Sequence, residues 1–113
     1  MTNTPEDLAR ALVDAEHAVI LTGAGISTES GVPDFRSKGG IWERYDPMVA
    51  GSLDMFIRDP KYFWEYHRPR YEQVAAVDPN AAHRVVAELQ RRGIVKALIT
   101  QNIDGLHGRA GSD

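Results

Sequence analysis

Cysteine is absent from the chain, which excludes a disulfide framework and any thiolate metal site within it. Long hydrophobic runs are lacking as well. The longest apolar stretches fall far short of the roughly 20 residues a membrane-spanning helix needs, so no such span is expected. Neither sign of charge dominates: 13 Lys plus Arg stand against 16 Asp plus Glu, a net of -3 without a block of either sign. That balance carries no direct signal for nucleic acid. The opening residues, Met1 to Asp7, are polar and acidic, unlike the basic and apolar start of a secretory leader, and a cytoplasmic location is expected.

What is present is ordinary for a folded protein. The 113 residues are 42% hydrophobic, enough for one small domain with a core. Thr4-Pro5-Glu6-Asp7 reads as a helix start, with Thr4 as the cap, Pro5 in the first turn and acids where the helix dipole is positive. Leu8, Leu12 and Ala15 then mark one face. From Ala18 to Thr22 the chain runs Ala-Val-Ile-Leu-Thr and stops at Gly23, the pattern of a parallel strand buried on both faces.

The segment at about 41–77 is rich in aromatic residues and predicts several short helices, with starts at Asp59-Pro60 and near Pro69. Tyr62, Phe63, Tyr66 and Tyr71 read there as packing residues. Asp78-Pro79 opens a further helix, on which Ala82, Val85, Val86 and Leu89 repeat at helical spacing and Gly93 supplies the stop. Ile94 to Thr100 is then a second strand. The fold class is α/β: an incomplete Rossmann-like parallel sheet with helices, plus part of a small helical insertion.

Gly23-Ala24-Gly25 follows the first strand directly, and Ile26-Ser27-Thr28-Glu29-Ser30 can open a helix. A phosphate loop needs this context, because glycine lets the backbone turn and approach a pyrophosphate while free N–H groups at a helix start attract its charge. Two departures disfavour an ordinary dehydrogenase. Thr28 stands where a third glycine is expected, and no second strand carries an acid roughly 20 residues later. In their place comes Gly31-Val32-Pro33-Asp34-Phe35-Arg36-Ser37, then Gly39-Gly40-Ile41-Trp42, a loop suited to folding over a bound cofactor and expected to be mobile without it from Glu29 to Ser37. Gln101-Asn102-Ile103-Asp104 follows the second strand, at the carboxyl end where open α/β sheets bind ligands. Asn102 and Asp104 have a plainer reading as caps of the next turn.

These residues resemble the sirtuins, NAD-dependent protein deacylases, through three blocks in the same order: Gly23 to Ser27, Gly31 to Ser37, and Thr100-Gln101-Asn102-Ile103-Asp104-Gly105-Leu106-His107. Pro79-Asn80-Ala81-Ala82-His83 and Arg109-Ala110-Gly111-Ser112 also match. The resemblance runs from about Ala18 to Asp113, and makes 1–113 the amino-terminal part of a catalytic domain.

It implies that NAD lies across Gly23, Ala24, Gly25, Ile26, Ser27 and Thr28, with Phe35, Arg36 and Trp42 on the same loop. Gln101, Ile103 and Asp104 would approach the nicotinamide side. Asn102 would position the ribose, while Asp34 and Ser27 support the loop; Asn102 and Asp104 are the candidate catalytic residues. The implied partners are acetylated protein lysines, whose acetyl group passes to ADP-ribose as nicotinamide leaves. ADP-ribosyl transfer, NAD hydrolysis and a non-catalytic remnant remain open.

Among the four histidines, His17 reads as surface and His83 as structural. The resemblance argues against His107 as the base. It places the family's general-base histidine, its zinc-binding cysteines and the rest of its sheet beyond Asp113, so no metal is expected within the chain. Relatives favouring succinyl or malonyl lysine carry a Tyr-x-x-Arg pair on the helix after Trp-Glu-aromatic. Here His67 takes the tyrosine position and Arg70 keeps the arginine, which implies acetyl-lysine first.

Overall fold

The computed structural model describes residues 3–33 and 46–113, which divide into two compact units. One comprises Met1–Gly23 with Pro79–Asp113, the other Ala24–Asp78.

In the first unit, helix α1 (Pro5–Asp14) starts as the sequence predicts. The Thr4 hydroxyl accepts from the Asp7 amide at 3.2 Å, and the Asp7 carboxylate accepts in turn from the Thr4 amide at 3.1 Å. Its expected apolar face is not covered: Leu8 and Ala15 are exposed and Leu12 is half-buried. Strand β1 (Ala18–Thr22) pairs in parallel with β2 (Val95–Thr100), with a register irregularity between Ala18 and Val19 and with Thr22 opposite Thr100. Burial on both faces is a correction. Val19, Leu21 and Ile99 are exposed, because a two-stranded sheet has too few neighbouring elements to cover both sides.

Helix α5 (Ala81–Arg91) begins two residues later than Asp78-Pro79 suggested, because Asn80 is the cap. Its side-chain oxygen accepts from the Ala82 amide at 2.9 Å, and Nδ1 of His83 accepts from the Asn80 amide at 3.1 Å. The buried stripe is rotated from the expected one. His83, Val86 and Ala87 face inward while Ala82 and Val85 are exposed, since a buried imidazole takes a place that apolar periodicity assigns to an aliphatic side chain. Gly93 ends the segment at φ 74°, a conformation L side chains rarely adopt. The core of this unit is Ala18, Val86, Ala87, Val95 and Leu106, with Leu106 on the short helix α6 (Leu106–Arg109).

In the second unit, Ala24–Ser30 form a 3₁₀ helix, in line with the helix start read at Ile26 to Ser30. Helices α2 (Pro47–Ala50), α3 (Leu53–Arg58) and α4 (Pro60–Ala75) follow. Asp59 caps α4 as expected, accepting from the Tyr62 amide at 3.1 Å. No new helix begins at Pro69. That residue lies inside α4, and side chains bridge the turns around it: Phe63 and Tyr71 both contact the His67 ring, and Arg68 pairs with Glu72 at 3.0 Å. Of the four aromatic residues assigned to packing, only Tyr66 is buried. Among the described residues no helix is long and apolar enough to cross a membrane.

Candidate functional site at the strand ends and glycine turn

Parallel pairing brings the carboxyl ends of β1 and β2 side by side. The Gln101 amide continues the ladder by donating to the Thr22 carbonyl at 3.1 Å. A Cβ on Gly23 would meet Oε1 of Gln101 at 3.8 Å, so the two turns run close. Asn102 ties them: its Nδ2 donates to the Gly23 carbonyl at 2.9 Å, and its backbone amide donates to Oγ1 of Thr100 at 3.1 Å. Asp104 closes the turn into α6, accepting from the Leu106 amide two residues on at 2.9 Å, while Gly105 is the N-cap residue of that helix. Asn102 and Asp104 are half-buried, while Gln101 is exposed and Ile103 is 87% exposed. An apolar side chain so open to solvent at a strand end is available for contact with a ligand.

A polar chain running from a buried histidine to the exposed end of β2 lies beside these turns. Oγ1 of Thr22 donates to Oγ1 of Thr100 at 2.9 Å and lies 2.8 Å from Nε2 of His107. The His107 ring meets that of His83 edge to face, with centroids 5.0 Å apart. Neither Thr22 nor Thr100 is among the candidate site residues of the sequence. Their signal was positional, since each strand ends in threonine immediately before its turn, at Leu21-Thr22-Gly23 and Ile99-Thr100-Gln101.

Burial, together with the nearby His107 and against the pull of Asp104, lowers the His83 pKa below its ordinary value of 6.5. A depressed histidine pKa means that the unfolded chain takes up the proton first. Stability is therefore full above pH 6.5 and falls as the pH drops from there toward the folded value. We expect the urea midpoint to be lower at pH 5.5 than at 7.5, with a smaller drop in His83→Gln; an equal drop in both proteins would contradict this assignment.

In the second unit, the 3₁₀ turn carries Ala24 to Thr28. Ser27 is buried, and its carbonyl accepts from the Val32 amide at 3.3 Å. Oγ1 of Thr28 donates to the Gly25 carbonyl at 3.0 Å. Gly31, at φ 98°, turns the chain, and its carbonyl accepts from Nε2 of Gln73 at 3.0 Å. Asp34, Phe35, Arg36 and Trp42 lie outside the described residues.

On α4, the Arg70 guanidinium stacks on the Tyr66 ring, 3.8 Å from its centroid, and donates to the Tyr66 carbonyl. Nε2 of His67 is buried with no hydrogen-bond partner among the described residues. Burial first, and the Arg70 charge second, lower its pKa and favour the neutral ring. Among the described residues no cluster of His, Asp and Glu is arranged to hold a metal.

Two parallel strands, a glycine turn after the first and polar residues after the second define a partial Rossmann-like α/β protein. The Sir2 family matches residues 23–113, and the chain belongs to it. A relative, the NAD-dependent protein deacylase of Aeropyrum pernix, is 53% identical over 92% of this chain and 42% of its own length. NAD-dependent protein deacylase 2 of Archaeoglobus fulgidus is also 53% identical, over 92% of this chain and 41% of its own. The chain thus spans about two fifths of these relatives. A solved Sir2 homologue in complex with NAD is 45% identical with a TM-score of 0.88, covering 99% of this chain and 44% of the homologue. Another, in complex with ADP-ribose, reaches a TM-score of 0.90 at 45% identity over 97% of this chain and 44% of its own.

Proposed function

We propose that the chain is the cosubstrate-holding part of an NAD-dependent protein lysine deacetylase. The observation that carries this reading is the tie from Asn102 to the Gly23 carbonyl, which joins the two sequence blocks that resemble the sirtuins at one end of the sheet. Gly25 gives a test of fit for NAD. It is not among the positive-φ glycines, and a Cβ there would meet nothing within 4 Å, so neither backbone conformation nor packing calls for glycine. Close approach of a phosphate to the bare backbone does.

Gly23, Ala24, Gly25, Ile26, Ser27 and Thr28 are accordingly assigned to NAD, and Asp34, Phe35, Arg36 and Trp42 on the same stretch are assigned with them by resemblance. Gln101, Ile103 and Asp104 take the nicotinamide side. Bound NAD supplies a ribose–nicotinamide bond that the acyl oxygen of lysine can displace. Asn102 orients the ribose for that displacement, and its own orientation is set by two hydrogen bonds to fixed backbone and side-chain atoms. Nicotinamide would leave as the acyl oxygen bonds to the ribose, and addition of water to the acyl carbon would then release lysine as the free amine with the acetyl group kept on ADP-ribose. Zinc and the general-base histidine are assigned, by resemblance, to sequence beyond Asp113, and the 113 residues alone are expected to be inactive.

Acyl preference follows from α4. Arg70 is stacked on the Tyr66 ring and donates to its carbonyl, and the lowered pKa of His67 favours its neutral ring, so the pair attracts an acidic acyl group less than a tyrosine and an unstacked arginine would. With an intact protein carrying this chain, acetyl peptide is expected to be turned over at least about tenfold more efficiently than succinyl peptide, a difference equal to one charge-assisted hydrogen bond. Equal or reversed preference would overturn that assignment. O-acetyl-ADP-ribose as product supports the deacetylase reading; free ADP-ribose or a modified protein as sole product would replace it with NAD hydrolysis or ADP-ribosyl transfer. Measurable deacylation by the isolated 113-residue chain would refute its assigned dependence on further sequence.

A further inference from the structure

We propose that His107 is a positioning residue for Asn102, acting through Thr22 and Thr100 to set the ends of both strands for the cosubstrate. The hydrogen-bonded connection is a property of the first unit alone; only its kinetic consequence rests on the NAD reading.

The bonds form one connected series from His107 to Asn102. With the Thr22 hydroxyl donating to Oγ1 of Thr100, its oxygen is left to accept from Nε2 of His107; with the reverse direction Thr22 donates to Nε2, and in either case the two threonines and the imidazole are bonded in series. Oγ1 of Thr100 also accepts from the Asn102 amide. Asn102 then reaches the Gly23 carbonyl through Nδ2. Nδ1 of His107 is buried with no hydrogen-bond partner among the described residues.

That unsatisfied nitrogen is the reason to look beyond packing. An imidazole 6% exposed with half its polar capacity unused costs stability that an aliphatic residue would not. His83, against which it packs, has a local use, since its Nδ1 closes the cap of α5. His107 has no such local bond, and Nε2 reaches the threonine at the end of β1. The segment from Gln101 to Gly105 is in this way fixed twice: at its start by the threonine pair and at its end by Asp104 on the Leu106 amide. His107 follows Leu106, which is fully buried, so the ring is anchored to the core that the loop must be held against.

The test uses an intact, ¹⁵N-labelled protein carrying this chain, first without ligand. A glutamine amide nitrogen can take the place of Nε2, whereas the shorter asparagine cannot. His107→Asn is therefore expected to shift the Asn102 backbone and side-chain amide signals and to speed exchange of the Asn102 amide at least about tenfold. His107→Gln should retain the wild-type signals. Thr100→Val removes the last link at an exposed strand end, leaves the core intact, and is expected to reproduce the asparagine result. Wild-type Asn102 signals in Thr100→Val, or in a folded His107→Asn, would overturn the proposal.

In NAD-dependent deacylation, His107→Asn and Thr100→Val should lower kcat about tenfold, with the KM for acyl peptide unchanged and His107→Gln within about threefold of wild type. A purely structural role would lower thermal stability in all three and leave kcat alone, and that outcome also overturns the proposal. Should the wild-type protein cleave no NAD, the functional reading fails, and the amide measurements still decide whether His107 fixes Asn102.

Discussion

Asn102→Ala is expected to lower kcat for NAD-dependent deacylation about 10²-fold in an intact protein carrying this chain, the scale of a reacting group misplaced by about 1 Å. The side chain donates to the Gly23 carbonyl at 2.9 Å, so its loss frees the loop after β2 from the turn after β1 while removing the polar group assigned to the ribose. Affinity for NAD should fall much less, because the backbone around Gly25 is untouched. Single-turnover rates and calorimetric titration of NAD separate the two effects. A variant with normal turnover would remove Asn102 from the site, and one that simply failed to bind NAD would make it a binding residue without a part in the chemistry.

The largest expected effect on stability belongs to Leu106→Ala. Leu106 is fully buried on a helix of one turn. Truncation of a buried leucine costs about 3–5 kcal/mol when its surroundings cannot collapse into the space. Urea unfolding of the intact protein should show a lower midpoint with an unchanged slope. A loss below about 1 kcal/mol would mean that the site relaxes, and that α6 is not held as rigidly as its contacts imply.

How far the sequence announces these features depends on whether a signal is local. Thr4, Asp59-Pro60 and Gly93 act within one turn of the backbone, and each marks the boundary it predicts. Pro69 misleads because the proline rule weighs only the missing N–H and the ring, while contacts made by Phe63, His67 and Tyr71 act across the turns on either side. The phase of α5 is misread for a related reason: His83 counts as polar in any periodicity, yet it is fully buried because the Asn80 amide satisfies its Nδ1. Gly23 and Asn102 could be picked out as site residues from their places after the strands. That they bond one another required knowing the register, because only pairing across the sheet shows which residue stands opposite which. The same holds for Thr22, Thr100 and His107, three residues with unremarkable local context.

The register has a consequence for synthesis. Thr22 and Thr100 are neighbours in the sheet but stand 78 positions apart in the chain. At typical rates of about 5–20 residues per second, β1 emerges roughly 4–16 s before the strand it must pair with. During that interval Ala24–Asp78 can collapse as a unit of its own, while Val19 and Leu21 wait unpaired. Equilibrium is forgiving of this arrangement, since doubling the length of such an intervening segment adds only about 0.6 kcal/mol of closure entropy. The intervening unit is therefore free to change length at little thermodynamic cost, and the penalty for lengthening it is time: a longer wait with an open strand edge on which another nascent chain can pair.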